Sequence, residues 1–159
     1  MPRDVAPSRL QAHFKDADFS EHGSRWDSLW KDSFTPWDRG SPSMALRDVL
    51  VDRKELFPSS PSSTNGNRKT ALVPGCGRGY DVLLLTALGY DTYGLDTSDN
   101  AINEAKEVQS RVGGDEIYQA REGVEKGKVI WLTGDFFKDD FLRAANVDGF
   151  DLIYDYTVS

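Results

Sequence analysis

A glycine-rich turn between an apolar run and an apolar helix is the feature that most constrains this chain. Residues 70–74 (TALVP) lead directly into residues 75–79 (GCGRG), and an apolar stretch continues to Leu88. Alternating glycines let the backbone pass close to a ligand where a Cβ would collide. The pattern predicts a strand, a nucleotide-type turn and a helix that ends with Gly89 at its C′ position.

An acidic residue follows at the spacing that such a turn requires. Residues 91–95 (DTYGL) predict a second strand ending at Asp96, which follows Gly75 by 21 residues. A carboxylate at that place can accept hydrogen bonds from both hydroxyls of a ribose. The alternative, which the residues leave open, is an ordinary tight turn in which Asp96 caps a helix.

Strands and helices continue to alternate along the chain. We expect a helix from Thr97 or Ser98 to Gly113-Gly114, a third strand over residues 128–133 and a fourth over residues 150–154. This alternation predicts an α/β domain with a parallel sheet and flanking helices. The fourth segment is apolar on both faces, a pattern typical of a strand inside such a sheet.

Helices are predicted ahead of the sheet. Residues 24–34 place Trp26, Leu29, Trp30 and Phe34 on one face, and Thr35-Pro36 ends that helix. A second helix is expected to open at Ser41-Pro42, and the residues of its buried face would be Leu46, Val49 and Leu50.

These patterns divide the chain into four parts. We expect a flexible arm over residues 1–23, a helical lid over 24–57, a Pro/Ser-rich linker over 58–69, and the sheet domain over 70–159.

Composition excludes several classes of protein. The net charge of −7 disfavours a nucleic-acid partner, and the longest apolar run is too short to span a membrane. The single Cys76 excludes an intrachain disulfide and a multi-cysteine metal site, so no metal is expected, and Cys76 itself is expected to be a small buried residue. We expect a cytoplasmic protein, with His13 and His22 exposed to solvent.

The identity of residue 80 distinguishes two kinds of glycine-rich cofactor loop. A dinucleotide loop, G-x-G-x-x-G, would place glycine where this chain has Tyr80, which disfavours a nicotinamide-dependent oxidoreductase. The G-x-G-x-G form of residues 75–79 resembles instead the loop of S-adenosylmethionine (SAM) methyltransferases, which have a Rossmann-like fold.

Five strings that occur in order narrow the resemblance further. They are residues 26–40 (WDSLWKDSFTPWDRG), 71–81 (ALVPGCGRGYD), 94–98 (GLDTS), 134–137 (GDFF) and 150–157 (FDLIYDYT). Together they resemble the thiopurine S-methyltransferase superfamily, most closely its thiol/halide methyltransferase branch. That family continues well beyond a fourth strand, so the resemblance predicts a domain whose C-terminal part is missing and whose fourth strand is an unpaired edge.

The resemblance implies SAM as the cofactor and also implies the residues that contact it. The three tryptophans would form a lid, the glycines would approach the methionine and ribose, and two residues after the third strand would contact adenine. The implied cofactor-binding residues are Trp26, Trp30, Trp37, Gly75, Gly77, Gly79, Asp96, Asp135, Phe136 and Tyr156. Tyr156 would also lie near the site of methyl transfer.

The implied reaction is methyl transfer to a small soft nucleophile, namely a thiol, bisulfide, thiocyanate or halide. Such acceptors are anions or ionise near neutral pH, so no dedicated general base is required. Methyltransferases that act on base nitrogen usually carry an Asn/Asp-Pro-Pro-aromatic string after the fourth strand. This chain has residues 155–157 (DYT) there, without prolines, which disfavours methylation of a nucleic-acid nitrogen. The alternative function is a non-catalytic SAM-binding fragment or regulatory module.

Overall fold

The computed structural model describes residues 8–53, 68–120 and 125–155. Its four strands are β1 (Thr70–Pro74), β2 (Asp91–Asp96), β3 (Val129–Thr133) and β4 (Leu152–Ile153). They form one sheet in the order β3-β2-β1-β4, and every neighbouring pair is parallel. The chain order changes direction at β1, so a topological switch point lies between β1 and β4. The predicted α/β architecture is confirmed.

Helices precede and separate the strands. In chain order they are α1 (Arg9–Phe14), α2 (His22–Lys31), α3 (Met44–Asp52), α4 (Tyr80–Ala87), α5 (Asp99–Val112) and α6 (Asp140–Ala145). Short 3-10 turns at Phe19–Glu21 and Glu116–Tyr118 complete the described elements. The sequence patterns did not predict α6 or the two 3-10 turns. Within residues 8–53, 68–120 and 125–155, none of the helices has the length and apolar composition of a membrane span.

Local chemistry fixes the helix ends around the sheet. Gly79 begins α4 in the left-handed region at φ 76°, and Gly89 follows its last turn at φ 101°, as predicted. The side chain of Ser98 accepts a hydrogen bond from the Ala101 N–H, so Ser98 rather than Thr97 is the cap of α5.

The helix α3 packs with the sheet. Leu46 and Leu50 belong to the main apolar cluster, together with residues of β1 and α4. Val49 is 46% exposed, so its predicted place on the buried face was wrong. The predicted start at Ser41-Pro42 was also wrong, because the side chain of Ser43 caps the helix by accepting from the Leu46 N–H at 3.3 Å. The division of the chain into lid, linker and sheet domain stays a prediction.

The N-terminal segment contacts the helix that follows it. The ring of Phe14 in α1 lies 4.5 Å from that of Trp26 in α2. His13 Nε2 lies 2.9 Å from the carbonyl oxygen of Arg25, and both His13 and His22 are half-buried. The two histidines were expected to be exposed to solvent, and this prediction was wrong.

At the other side of the sheet, β4 is shorter than predicted. It pairs with β1 through Leu152 and Ile153 and forms an edge of the described sheet. Ile153 is 50% exposed, which agrees with the expected apolar edge rather than with a position inside the sheet.

Candidate functional site

The loops after β1, β2 and β3 meet at the carboxyl edge of the sheet. The N–H of Cys76 donates to the carbonyl of Leu95 at 3.0 Å, and that of Gly134 donates to the carbonyl of Asp96 at 2.9 Å. These bonds join the glycine loop, the end of β2 and the loop after β3 into one surface beside the switch point. Ligands of open α/β sheets bind at this place.

Asp96 lies at the centre of that surface. Its side chain is 8% exposed, and its two oxygens accept hydrogen bonds from the backbone N–H groups of Gly77 and Ser98, each at 3.0 Å. Burial raises the pKa of Asp96, and the two hydrogen bonds partly offset that rise. Each carboxylate oxygen has a second lone pair, so the side chain keeps acceptor capacity for ribose hydroxyls. The residue that caps α5 is Ser98, not Asp96.

The three loop glycines are all left-handed, with φ of 60° at Gly75, 53° at Gly77 and 76° at Gly79. A Cβ on Gly77 would lie 3.2 Å from Cζ2 of Trp30, and one on Gly79 would overlap the ring of Trp131. The missing side chains of Gly77 and Gly79 thus make room for two indole rings of this chain. Gly75 is exposed to solvent. Contact of the three glycines with a cofactor stays a prediction.

The structure brings Trp26, Trp30 and Trp37 together, and we call this group the aromatic lid. The ring of Trp37 lies 5.1 Å from that of Trp26 and 5.7 Å from that of Trp30, both edge-to-face. Trp30 is 5% exposed and packs on Gly77. Trp30 therefore joins this group to the glycine loop and also has the burial of a core residue, while contact of the three tryptophans with a cofactor stays a prediction.

Asp135 and Phe136 lie in the loop after β3 and follow Gly134, whose N–H donates to the Asp96 carbonyl. The side chain of Asp135 accepts from the Phe137 N–H at 2.9 Å, and Phe136 packs in a second apolar cluster with Phe141. The ring of Phe19 reaches Phe137 across this edge, with centroids 6.5 Å apart. Their adenine contact stays a prediction, and Tyr156 lies outside the described residues.

Arg78 is a residue of this site that the sequence analysis missed. Its guanidinium donates to Glu104 at 2.7 Å, to Thr35 at 3.1 Å and to Asp38, with which it forms an ion pair. It also lies 5.3 Å from the centroid of Trp30. Arg78 thereby ties the segment after α2 to the glycine loop and to α5. The signal available in the sequence was a single arginine within the glycine loop of a chain whose net charge is −7.

A second missed residue is Asp27 of α2. Its Oδ1 accepts from Ser98 Oγ at 2.5 Å and from Asn100 Nδ2 at 3.0 Å. The bond from Ser98 lowers the pKa of Asp27, although burial opposes the change. The sequence signal was its position between Trp26 and Trp30, three residues before a predicted contact.

Cys76 is half-buried and packs against the main apolar cluster. Burial and the nearby Asp96 carboxylate raise the pKa of its thiol well above the ordinary value, so it is protonated at neutral pH. Among residues 8–53, 68–120 and 125–155, no group of three or more His, Cys, Asp or Glu side chains could hold a metal ion.

Known proteins resemble this chain in sequence and in structure. The sequence model of the thiopurine S-methyltransferase family (TPMT) matches residues 21–158. Thiocyanate methyltransferase 1 of Brassica oleracea is 32% identical over 97% of this chain and 55% of its own length, and Probable thiol methyltransferase 2 of Arabidopsis thaliana is 29% identical over 83% and 46%. The chain spans about half the length of these curated relatives.

A solved structure supports the fold. The protein described under "Conversion of a Disulfide Bond into a Thioacetal Group during Echinomycin Biosynthesis" superposes with a TM-score of 0.57 at 21% identity, covering 86% of this chain and 47% of that one. The parallel sheet with flanking helices is the Rossmann-like fold expected from the sequence. With a family match over residues 21–158, this chain belongs to the thiopurine S-methyltransferase family.

Proposed function

We propose that this chain is the SAM-binding part of a methyltransferase that acts on a small soft nucleophile. The observation that carries the proposal is the Asp96 carboxylate, which is buried at the carboxyl edge beside the switch point and held by Gly77 and Ser98. Membership of the thiopurine S-methyltransferase family supports the same reaction class. The named activities of the relatives, thiocyanate and thiol methyl transfer, suggest the acceptor.

The residues at the edge suit the chemistry of SAM. Asp96 keeps lone pairs for the ribose hydroxyls, and the faces of the aromatic lid attract a cation such as a sulfonium. Asp135 and Phe136 offer an acceptor and a packing surface for adenine at the next strand end. When bound, SAM would supply an electrophilic methyl group.

What the chain contributes to such a transfer is binding, orientation and exclusion of water. Holding two reactants in line can lower a barrier by about 7–11 kcal/mol in favourable cases. A thiol with its ordinary pKa is partly ionised near neutral pH, and thiocyanate and iodide are anions already. The site therefore needs no general base, and His13 and His22 keep purely structural contacts in α1 and α2.

A methyl-transfer assay tests the proposal. The protein is incubated with SAM and with thiocyanate, bisulfide, iodide or a small organic thiol, and volatile methylated products are measured in the headspace. We expect product with at least one of these acceptors and none with a nucleic-acid substrate. Failure to bind SAM in calorimetry, or binding of NAD instead, would contradict the proposal.

A second candidate function rests on the same residues for binding SAM. In that case the chain binds SAM as a non-catalytic or regulatory module and transfers no methyl group. Calorimetric binding of SAM without turnover of any of the four acceptors distinguishes this candidate from the first.

Three narrower expectations belong to the same proposal. A single cysteine suits a reducing compartment such as the cytoplasm, which fractionation of the native protein would test. The net charge of −7 argues for a small-molecule partner rather than nucleic acid. The four acceptors of the assay sample the class of small molecule concerned.

A further inference from the structure

The helix α2 sits on the loop after β2 through one carboxylate. Asp27 Oδ1 accepts both the Ser98 hydroxyl and the Asn100 amide, at 2.5 and 3.0 Å. One turn earlier the helix approaches the same loop, since a Cβ on Gly23 would lie 3.8 Å from Cβ of Thr97. The face of α2 that carries Asp27 is therefore the face in contact with the loop.

These contacts close a circuit through the proposed cofactor site. The N–H of Ser98 donates to Asp96, and Asp96 accepts from the N–H of Gly77. Gly77 in turn contacts Trp30, which lies one helical turn after Asp27 on α2. Asp27 therefore contacts the loop after β2, and Trp30 contacts the glycine loop. Asp96 binds the backbone of both loops.

We propose that Asp27 is a positioning residue that seats the aromatic lid on the glycine loop and on Asp96. Its side chain bonds to Ser98 and Asn100, neither of which is a predicted cofactor-binding residue; it acts through Ser98 and through Trp30 on its own helix. The proposal rests on the proposed function, since its effect on affinity requires SAM to bind at Asp96.

Loss of this seat has a defined consequence for binding. If Asp27 no longer holds α2, the lid is seated in only a fraction of the molecules, and the apparent dissociation constant rises by the inverse of that fraction. A seated fraction of one tenth would weaken SAM binding about tenfold. The same loosening exposes Trp30 and the 75–79 backbone to solvent in the absence of ligand.

Two substitutions at this position separate its acceptor from its charge. Asp27→Ala removes the acceptor, whereas Asp27→Asn keeps an oxygen for the two side-chain donors, because both bond to Oδ1. Asp32→Ala is the matched control: Asp32 directly follows the last residue of the same helix, and its side chain is 60% exposed in a 3.9 Å contact with Arg9.

The experiment measures SAM affinity by calorimetry and hydrogen exchange of the ligand-free proteins by mass spectrometry. We expect Asp27→Ala to bind SAM about tenfold more weakly and to exchange faster over residues 75–79, with Asp27→Asn and Asp32→Ala close to the parent protein. Equal affinity and exchange in Asp27→Ala and Asp32→Ala would overturn the proposal. So would an Asp27→Asn variant as weak as Asp27→Ala.

Two further outcomes remain decisive. If the parent protein binds no SAM, the proposed function fails, and the exchange of the ligand-free variants alone supports or overturns the positioning role. If Asp27→Ala does not fold, Asn100→Ala removes one donor to the same oxygen. That variant should show the same changes to a smaller extent, and unchanged exchange would overturn the proposal.

Discussion

At the scale of single residues, Asp96 has two roles: it shapes the loops of the site, and it would bind the ribose of the cofactor. It organises the site by holding the N–H groups of Gly77 and Ser98, yet its charge is buried, and burial raises its pKa. Burial of a carboxylate is tolerated where hydrogen bonds satisfy it, and here the donors belong to the two loops that the proposed cofactor would contact. The residue that would bind the ribose is thus also the residue that shapes the loop.

Replacement of Asp96 tests its predicted role in binding the ribose. Asp96→Ala leaves the ribose hydroxyls without their acceptor and should weaken SAM binding by about 1.5–3 kcal/mol, the range for hydrogen bonds to a charged group. Calorimetry gives the dissociation constant. Asp148→Ala, an exposed aspartate ahead of β4, is the control. An unchanged affinity in Asp96→Ala would remove Asp96 from the site.

The raised pKa of Cys76 gives a second prediction at this scale. Only the thiolate reacts with iodoacetamide, so labelling of the native protein at pH 8 should be much slower than labelling in denaturant. The folded thiol keeps its proton at pH values where the unfolded thiol has lost it. The stability that the buried, protonated thiol contributes is therefore lost as the pH rises above the pKa of the unfolded thiol, which is about 8.5. Mass spectrometry follows the labelling, and fast labelling of the folded chain would contradict the burial.

Residue patterns predicted the local part of this site and missed its long-range part. The glycine loop and Asp96 were recognisable because left-handed backbone and a fixed strand-to-strand spacing are properties of short segments. The contacts of Arg78 with Thr35 and of Asp27 with Ser98 join residues 43 and 71 positions apart. No periodicity within a segment contains that information, since it arises only when the helices pack on the sheet.

At the scale of elements, the tryptophans of the aromatic lid and the tryptophan of the sheet lie in different surroundings. The lid contacts the glycine loop through Trp30, whereas the fourth tryptophan, Trp131 on β3, packs under Gly79 and Gly94 and donates to Gln109 at 2.8 Å. Because Gly79 belongs to the glycine loop, Trp131 also adjoins the site, but its indole N–H is held by Gln109. We therefore expect ligand binding at the edge to change the surroundings of the lid more than those of Trp131.

Tryptophan fluorescence can test this difference. We expect SAM to alter the emission of the parent protein and of Trp131→Phe, and to alter that of Trp30→Phe much less. A SAM-dependent signal that disappears in Trp131→Phe instead would place the responding indole in the core.

Trp30→Ala should weaken SAM binding and, because Trp30 is buried, should also lower the free energy of unfolding by up to about 3–5 kcal/mol. Global unfolding of Trp30→Ala would favour a core role for Trp30.

The sequence patterns misjudged some elements because they are short, and one helix start because it depends on a distant contact. The six-residue α6 is too short to show a helical period, and the two residues of β4 are too few for an alternation. Two serines, Ser41 and Ser43, could each cap α3, and the choice depends on a contact outside the helix. The N–H of Ser43 donates to Asp81 of α4 at 2.7 Å, which holds the cap in place.

At the scale of the whole molecule, the N-terminal helices and the sheet share contacts. Leu46 and Leu50 of α3 pack with β1 and α4, Asp81 holds the start of α3, and Arg78 ties the segment between α2 and α3 to α5. Segments that share a core and polar contacts unfold together. We therefore expect one cooperative transition for the helices and the sheet.

Two neighbouring residues of α3 test that expectation with a built-in control. Leu50 is 2% exposed and lies in the main cluster, so Leu50→Ala should lower the free energy of unfolding by about 2–5 kcal/mol. Val49 is 46% exposed on the same helix, and the free energy of unfolding of Val49→Ala should stay within about 0.5 kcal/mol of that of the parent protein.

Urea unfolding measures these differences and is followed by tryptophan fluorescence and by far-UV circular dichroism. The two curves should coincide for all three proteins, although fluorescence reports mainly on the lid and dichroism on all helices and strands. Separate transitions in the parent protein, or a Leu50→Ala cost no larger than that of Val49→Ala, would show that α3 belongs to an independent lid rather than to the sheet's core.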